Sequence, residues 1–198
     1  MIFSKKLLTL LTASCLWLGA NAQTKEAMPV AGPVKPIDIN WVSVNDLPAL
    51  LAKEPRKIFI DVYTSWCGPC KMMMNNTFKD PEIIDFVNRN YYAVKFNAEG
   101  NELVTFKGYE FKNQGFDPAR ANSRNETHDF ALAIAPVQTR IAYPTLVYLD
   151  ENLNILAPIQ GYFQAPQLKP ILTYFKENRH KEIDLQTYLN NASSSTKN

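Results

Sequence analysis

The 198-residue sequence predicts an α/β domain, with a central mixed β-sheet and helices on both faces. Three observations carry this prediction. Lys57–Tyr63 (KIFIDVY) is a nearly continuous apolar run, the pattern of a strand buried on both faces. Tyr91–Asn97 (YYAVKFN) alternates as a strand does. Amphipathic segments of helical length separate these runs from a closing pair of short strands.

Asn45 or Asp46 is placed to cap a helix running to about Lys53, with Leu47, Leu50 and Leu51 on one face. The strand Lys57–Tyr63 follows. Cys67–Lys79 reads as helical, and Pro81–Asn90 as helical again, with Ile83, Ile84 and Val87 turned inward. After the strand Tyr91–Asn97, a helix is expected over Asn125–Ala135. Thr145–Leu149 and Ile155–Ile159 read as strands joined through Asp150-Glu151-Asn152-Leu153-Asn154, a hairpin connection. Pro166–Glu177 is the expected last major helix, with Leu168, Ile171, Leu172 and Phe175 facing in. Asn178–Leu189 adds a short helix.

The two ends differ from this core. Residues 1–22 have the form of a secretory signal peptide: Lys5 and Lys6, an apolar stretch from Leu7 to Ala20, then the small-x-small site Ala20-Asn21-Ala22. Cleavage there makes Gln23 the new N-terminus. Cys15 is an alternative site of lipid attachment, but Leu16, Trp17 and Leu18 continue the apolar stretch beyond it, which favours cleavage after Ala22. Residues 23–38 hold three prolines and few large apolar groups, and read as a flexible leader. A single domain is expected over 39–189, and a frayed, disordered polar tail over 190–198.

Charge and cysteine usage narrow the function. The sequence has 21 basic and 19 acidic side chains, and loss of residues 1–22 leaves 19 of each. A near-neutral protein lacks the electrostatic footprint of a nucleic-acid binder. The same cleavage removes Cys15 and leaves Cys67 and Cys70 with only each other as thiol partners. In an oxidising compartment such a pair can cycle between dithiol and disulfide.

The pair lies in "SWCGPCKMMM", just after the first strand. A cysteine at the first turn of a helix faces unpaired backbone N–H groups and the positive end of the helix dipole. Such placement lowers a thiol pKa from about 8.5 to roughly 3.5–7.5 and raises the thiolate fraction. Cys67 is therefore the expected nucleophile. Gly68 and Pro69 bring Cys70 round as the resolving thiol. Other readings stand beside this one. Half a zinc site would need about four ligands, and His128 and His180 are the only histidines. An inert structural disulfide is a second alternative. Met72, Met73 and Met74 suggest Cu(I), but consecutive helical residues diverge, and packing by flexible side chains suits them better. Neither histidine is assigned a catalytic role.

Trp66-Cys67-Gly68-Pro69-Cys70-Lys71 resembles the active-site sequence of the thioredoxin family. Asp61 inside the apolar strand, Lys95 in the next strand, Tyr143-Pro144-Thr145 and Gly161 stand where that family would place them. "TFKDPEIIDFVNRNYYAVKFN" is similar to its exported bacterial thioredoxin-like branch. The resemblance covers roughly residues 40–178. It implies a thioredoxin fold with a redox-active Cys67–Cys70 disulfide and a cis-proline at Pro144. It implies that Asp61 moves protons to and from Cys70, that Lys95 supports Asp61, and that Trp66, Gly68, Pro69, Tyr143 and Pro144 meet the substrate. The implied function is an exported protein-disulfide reductase of the bacterial periplasm, a monomer with no cofactor, no metal and no membrane segment after cleavage. Its partners would be protein disulfide substrates and an external electron-donor thiol protein. An oxidase or isomerase of the same fold, and a copper-handling or assembly-binding module, are the competing functions.

One feature departs from the family pattern. An insertion of about residues 98–140 precedes the Pro144 loop. It contains "LVTFKGYEFKN", readable as a small hairpin turning at Lys107-Gly108, and then "QGFDPARANSRNET", rich in turn formers and arginine. Long ordered loops often carry function, so the insertion is expected to shape partner choice beside Cys67.

Overall fold

The computed structural model describes residues 37–136, 138 and 140–195, apart from the side chain of Ser195. These residues belong to one compact unit. The expected signal peptide, Cys15 and nearly all of the expected leader lie outside the described residues.

A five-stranded mixed sheet forms the centre, in the order β1-β3-β2-β6-β7. Its strands are β1 (Trp41–Val42), β2 (Lys57–Tyr63), β3 (Tyr91–Asn97), β6 (Thr145–Leu149) and β7 (Ile155–Gln160). β1 and β2 run parallel to β3, whereas β6 is antiparallel to both β2 and β7. The strand β2 is central because it is apolar on both faces. Phe59 joins one core with Phe78, Tyr91, Tyr148 and Phe175. Ile58, Ile60 and Val62 join the other with Leu47, Phe96 and Phe130. Asp61 shares the face of Phe59, since side chains alternate along a strand.

The helices cover both faces. The first core is closed by α2 (Gly68–Asn75), α3 (Pro81–Asn90) and α5 (Ala165–Lys176). Asp80 starts α3 by accepting hydrogen bonds from the backbone N–H groups of Glu82 and Ile83. The ring of Phe175 stacks on Tyr148 at 4.1 Å between centroids. The second core is closed by α1 (Leu47–Lys53) and by the insertion.

The insertion is itself part of the core. Its hairpin pairs β4 (Val104–Phe106) with β5 (Tyr109–Phe111) and turns at Lys107-Gly108. Both turn residues have positive φ, 52° and 82°, as a tight hairpin of matching twist requires. Its helix α4 (Asp129–Ile134) buries Phe130, Ala131 and Ile134. The ring of Phe130 meets Phe96 at 5.0 Å, Phe106 at 5.2 Å and Phe111 at 5.7 Å, tying the sheet to the hairpin. The side chain of Asn45 donates to the carbonyl of Leu103 and accepts from the N–H of Thr105. Excising residues 101–123 would therefore expose core.

Several expected boundaries shift, each for a tertiary reason. The helix read over Cys67–Lys79 breaks at Asn76, and Thr77–Lys79 forms a 3-10 turn. There Phe78 turns into the core and the Thr77 hydroxyl donates to the carbonyl of Phe163 at 2.6 Å. The helix read over Asn125–Ala135 begins only at Asp129. Ahead of it the chain is held extended. His128 N–H donates to Ala98 O, and Asn113 donates to Glu126 O. His128 is fully buried and caps α4: its Nδ1 accepts from Phe130 N–H, and its Nε2 meets Glu102 O at 2.7 Å. Asp46 makes no side-chain cap. Ser43 instead caps a 3-10 turn over Val44–Asp46 that leads into α1. Part of the segment expected to be a frayed tail is helical. After a 3-10 turn at Arg179–Lys181, α6 (Leu185–Ser195) carries helix through residues 190–195. Tyr188 and Leu189 of α6 pack on the first core, so tertiary contact extends this polar segment. Asp38, read as the last leader residue, is tied down by Lys79 and Asn88.

Phe130 joins the inserted segment to the sheet, so Phe130→Ala should cost about 3–5 kcal/mol. Urea titration should show a lower midpoint with little change in slope.

Candidate active site

The site forms where β2 ends and α2 begins. Cys67 is the residue before the helix. Its backbone is extended, and its Sγ accepts the backbone N–H of Cys70 at 3.1 Å. The sulfur thus takes the place of a capping oxygen and satisfies one of the unpaired donors of the first turn. Gly68 and Pro69 open the helix, and proline fits there because its missing N–H has no partner to lose. A Cβ on Gly68 would meet nothing within 4 Å, so this glycine leaves open space beside the sulfurs. Cys67 and Cys70 are joined by a disulfide of 2.06 Å, and their residues are only 3% and 4% exposed.

Two cavities flank the disulfide. The outer one, of about 410 Å³, reaches Cys67 and is bounded by Trp66, Gly68, Pro69 and Tyr143 together with residues of the insertion. The rings of Trp66 and Tyr143 meet edge to face at 6.0 Å. The Tyr143–Pro144 bond is cis, and the carbonyl of Pro144 accepts from Gly161 N–H at 2.9 Å. Pro144 is buried beside Tyr143 but lines neither cavity.

The inner cavity, of about 130 Å³, joins Cys70 to Asp61, Thr64 and Lys95. Asp61 is 1% exposed, and its Oδ1 accepts no hydrogen bond from the described residues. The hydroxyl of Thr64 is likewise buried without a partner among them. Burial pushes the Asp61 carboxyl from an ordinary 3.8 up to about 7, and the positive charge of Lys95 opposes that rise. Lys95 is the register partner of Asp61 across β2 and β3. Lys95 makes no ion pair with Asp61: its side chain is exposed, with its Nζ 5.5 Å from the centroid of the Tyr63 ring. Its solvated ammonium acts on Asp61 only at longer range.

The sequence reading missed the residues that the insertion brings to Cys67. Glu99 is buried, and its Oε2 accepts both the indole N–H of Trp66 at 2.7 Å and the backbone N–H of Asn125 at 2.8 Å. The guanidinium of Arg124 lies 4.1 Å from the centroid of the Trp66 ring. Ser65 Oγ donates to Ala121 O at 3.2 Å. Nothing local in the sequence marks Glu99. With β2 and β3 parallel and Tyr63 opposite Asn97, the residue two beyond Asn97 comes to the end of the sheet that carries the cysteine loop.

The metal readings find little support in this geometry. Met72 is 50% exposed, Met73 is fully buried and Met74 packs against the first core, so the three side chains diverge. Among the described residues, no group of three or more His, Cys, Asp or Glu side chains is placed to hold a metal ion.

A cysteine pair at a helix start, beside a buried carboxyl, is an arrangement suited to thiol–disulfide exchange. Comparison with known proteins agrees. A family model described as a thioredoxin-like domain matches residues 45–176, so the chain belongs to the thioredoxin-like family. It is 34% identical over 81 residues to thioredoxin C-3 of Corynebacterium nephridii, covering 37% of this chain and 46% of that protein. It is 36% identical over 47 residues to the thiol:disulfide interchange protein DsbD of Pectobacterium atrosepticum, covering 24% of this chain and 8% of that one. The chain thus spans less than half the length of these curated relatives. The solved structure of a DsbH oxidoreductase superposes with a TM-score of 0.50 at 15% identity, covering 76% of this chain and 94% of the other, and shares the fold. The family and the fold are thioredoxin-like, and within them Cys67 and Cys70 stand joined in a disulfide.

The buried carboxyl of Asp61 gives a pH-dependent prediction. Below about pH 4 it is protonated whether the chain is folded or not, and contributes no difference. Between pH 4 and 7 the unfolded chain ionises while the folded one holds its proton, so stability falls as pH rises and levels off above 7. The full penalty is at most about 4 kcal/mol. Asp61→Asn should therefore be the more stable protein at pH 7–8, by roughly 2–4 kcal/mol, with the gap closing below pH 4. Urea titrations across pH 3.5–8 measure it. A gap independent of pH would contradict the assignment.

Proposed function

We propose that this protein is an exported reductase of protein disulfides, acting by dithiol–disulfide exchange through Cys67 and Cys70. The observation that carries the reading is the hydrogen bond from Cys70 N–H to Cys67 Sγ at the start of α2. That donor and the aligned helix dipole favour a negative charge on this sulfur.

In the reduced protein, the Cys67 thiolate attacks one sulfur of the substrate disulfide. A mixed disulfide forms and the first substrate thiolate departs. Cys70 then loses its proton and attacks Cys67 Sγ. The Cys67–Cys70 bond forms, and the second substrate thiolate leaves. Two electrons pass from the protein to the substrate. Asp61, near half ionisation at neutral pH, is suited to take the Cys70 proton across the inner cavity, which is large enough for water. Lys95 tunes that carboxyl at a distance. Trp66, Gly68, Pro69 and Tyr143 form the rim that the substrate meets, and Pro144, buried behind Tyr143, shapes that rim through its cis bond.

The reducing direction rests on the Gly-Pro pair between the cysteines, by family resemblance. An external thiol protein must then regenerate the dithiol. Export to a bacterial periplasm is supported by the form of residues 1–22. Among the described residues, no helix is long and apolar enough to cross a membrane.

Single cysteine variants separate the two thiols. With a disulfide-bonded protein such as insulin as substrate, Cys67→Ser should abolish turnover. Cys70→Ser should stop after one attack and accumulate a mixed disulfide at Cys67, visible on non-reducing gels and by mass. Adducts forming on Cys70 in Cys67→Ser, with none on Cys67 in Cys70→Ser, would reverse the assignment.

A further inference from the structure

The outer cavity holds a cation that the exchange chemistry does not use. Arg124 stands at its mouth, with an exposed side chain stacked on Trp66. Arg56, Arg89, Arg120 and Arg179 each hold a carboxylate, whereas Arg124 and Arg140 have none within ion-pairing distance among the described residues, and of these two only Arg124 lines the outer cavity. Glu99, in the same cavity, is buried, and one of its oxygens already accepts two N–H donors.

The backbone that carries Arg124 is held at the next residue, and its guanidinium rests on a held ring. Its neighbour Asn125 donates its backbone N–H to Glu99, and its side chain exchanges two hydrogen bonds with the backbone of Asp117. The Trp66 ring beneath the guanidinium is itself held by Glu99 and Tyr143. A cation held in place loses little freedom when it binds, which favours recognition. Leu132 and Ile141 supply apolar surface to the same cavity. A residue next to the attacked cysteine of a substrate would meet a charge on one side and apolar surface on the other.

We propose that Arg124 determines specificity by binding a carboxylate carried beside the substrate disulfide, so that the protein prefers acidic disulfide substrates. The proposal rests on the exchange reaction at Cys67 described above. Guanidinium and carboxylate pair through parallel N–H···O bonds, which makes arginine suited to the task. A cation near Cys67 also favours the thiolate, but that effect is common to all substrates and cancels in a ratio.

The test compares kcat/KM for two short peptide disulfides that are identical except for Asp or Asn beside the attacked cysteine. The wild-type protein should prefer the Asp peptide by about 2–5-fold at low ionic strength, and the ratio should shrink as salt screens the pair. Arg124→Gln should bring the ratio to about one, and Arg124→Lys should retain part of it. Glutathione disulfide against neutral 2-hydroxyethyl disulfide names the source of the carboxylate. A matching preference extends recognition to small disulfides, and its absence there confines it to peptides. Exchange without discrimination in the wild type, or a ratio unchanged by Arg124→Gln, overturns the proposal alone. Failure of every disulfide to exchange removes the functional reading, and the proposal with it.

Discussion

The capping of helix α2 by the sulfur of Cys67 is the constraint on which the rest of the site depends. It requires a strand that ends beside a helix start, and β2 supplies this because its apolar residues fix it at the centre of the sheet. It requires a short turn with no strong claim on the first backbone donors, and Gly68-Pro69 provides one. The free N–H of Cys70 then points at Cys67, and stabilisation of a negative sulfur follows from backbone geometry alone. Cys70, one turn further in, is turned towards Asp61.

Asp61 shows the cost of this arrangement. A carboxyl in the central strand, nearly without exposure, is a group that folding alone would replace. The sheet tolerates it because Ile58, Phe59, Ile60 and Val62 bury fully around it. Its neighbour Lys95 leaves it poorly compensated, and this keeps the carboxyl near neutrality rather than fully ionised. A tighter ion pair would lower its pKa and weaken it as a proton acceptor at neutral pH. The insertion imposes a comparable link between stability and function. Phe130 and Phe106 hold it to the sheet, while Glu99 and Arg124 hold it to Trp66.

The central strands and the redox pair were legible in the sequence because their signals are local. KIFIDVY and YYAVKFN declare themselves by apolar content, and two cysteines separated by two residues need no tertiary knowledge to pair. The hairpin at Lys107-Gly108 was legible from its turn chemistry. What escaped the sequence depends on contacts between distant residues. β1 is two residues long and exists through its pairing with β3. The late start of α4 follows from the hydrogen bonds of Asn113 and His128 to the sheet side of the insertion. Whether Lys95 touches Asp61 or turns to solvent is a side-chain choice that register alone does not decide. Glu99 and Arg124 stand 33 and 58 residues from Trp66 in the chain, and only folding brings them together.

The central claim is a reversible dithiol–disulfide couple of reducing character at Cys67 and Cys70. Its most direct test is the equilibrium reduction potential of the protein lacking residues 1–22. Titration in defined thiol–disulfide buffers, with both cysteines followed by alkylation, gives that value. A potential near the roughly −270 mV of thioredoxin is predicted. A value of about −120 to −180 mV would contradict the reducing direction and assign an oxidase or isomerase. Failure of the two cysteines to exchange reversibly would contradict the redox function itself.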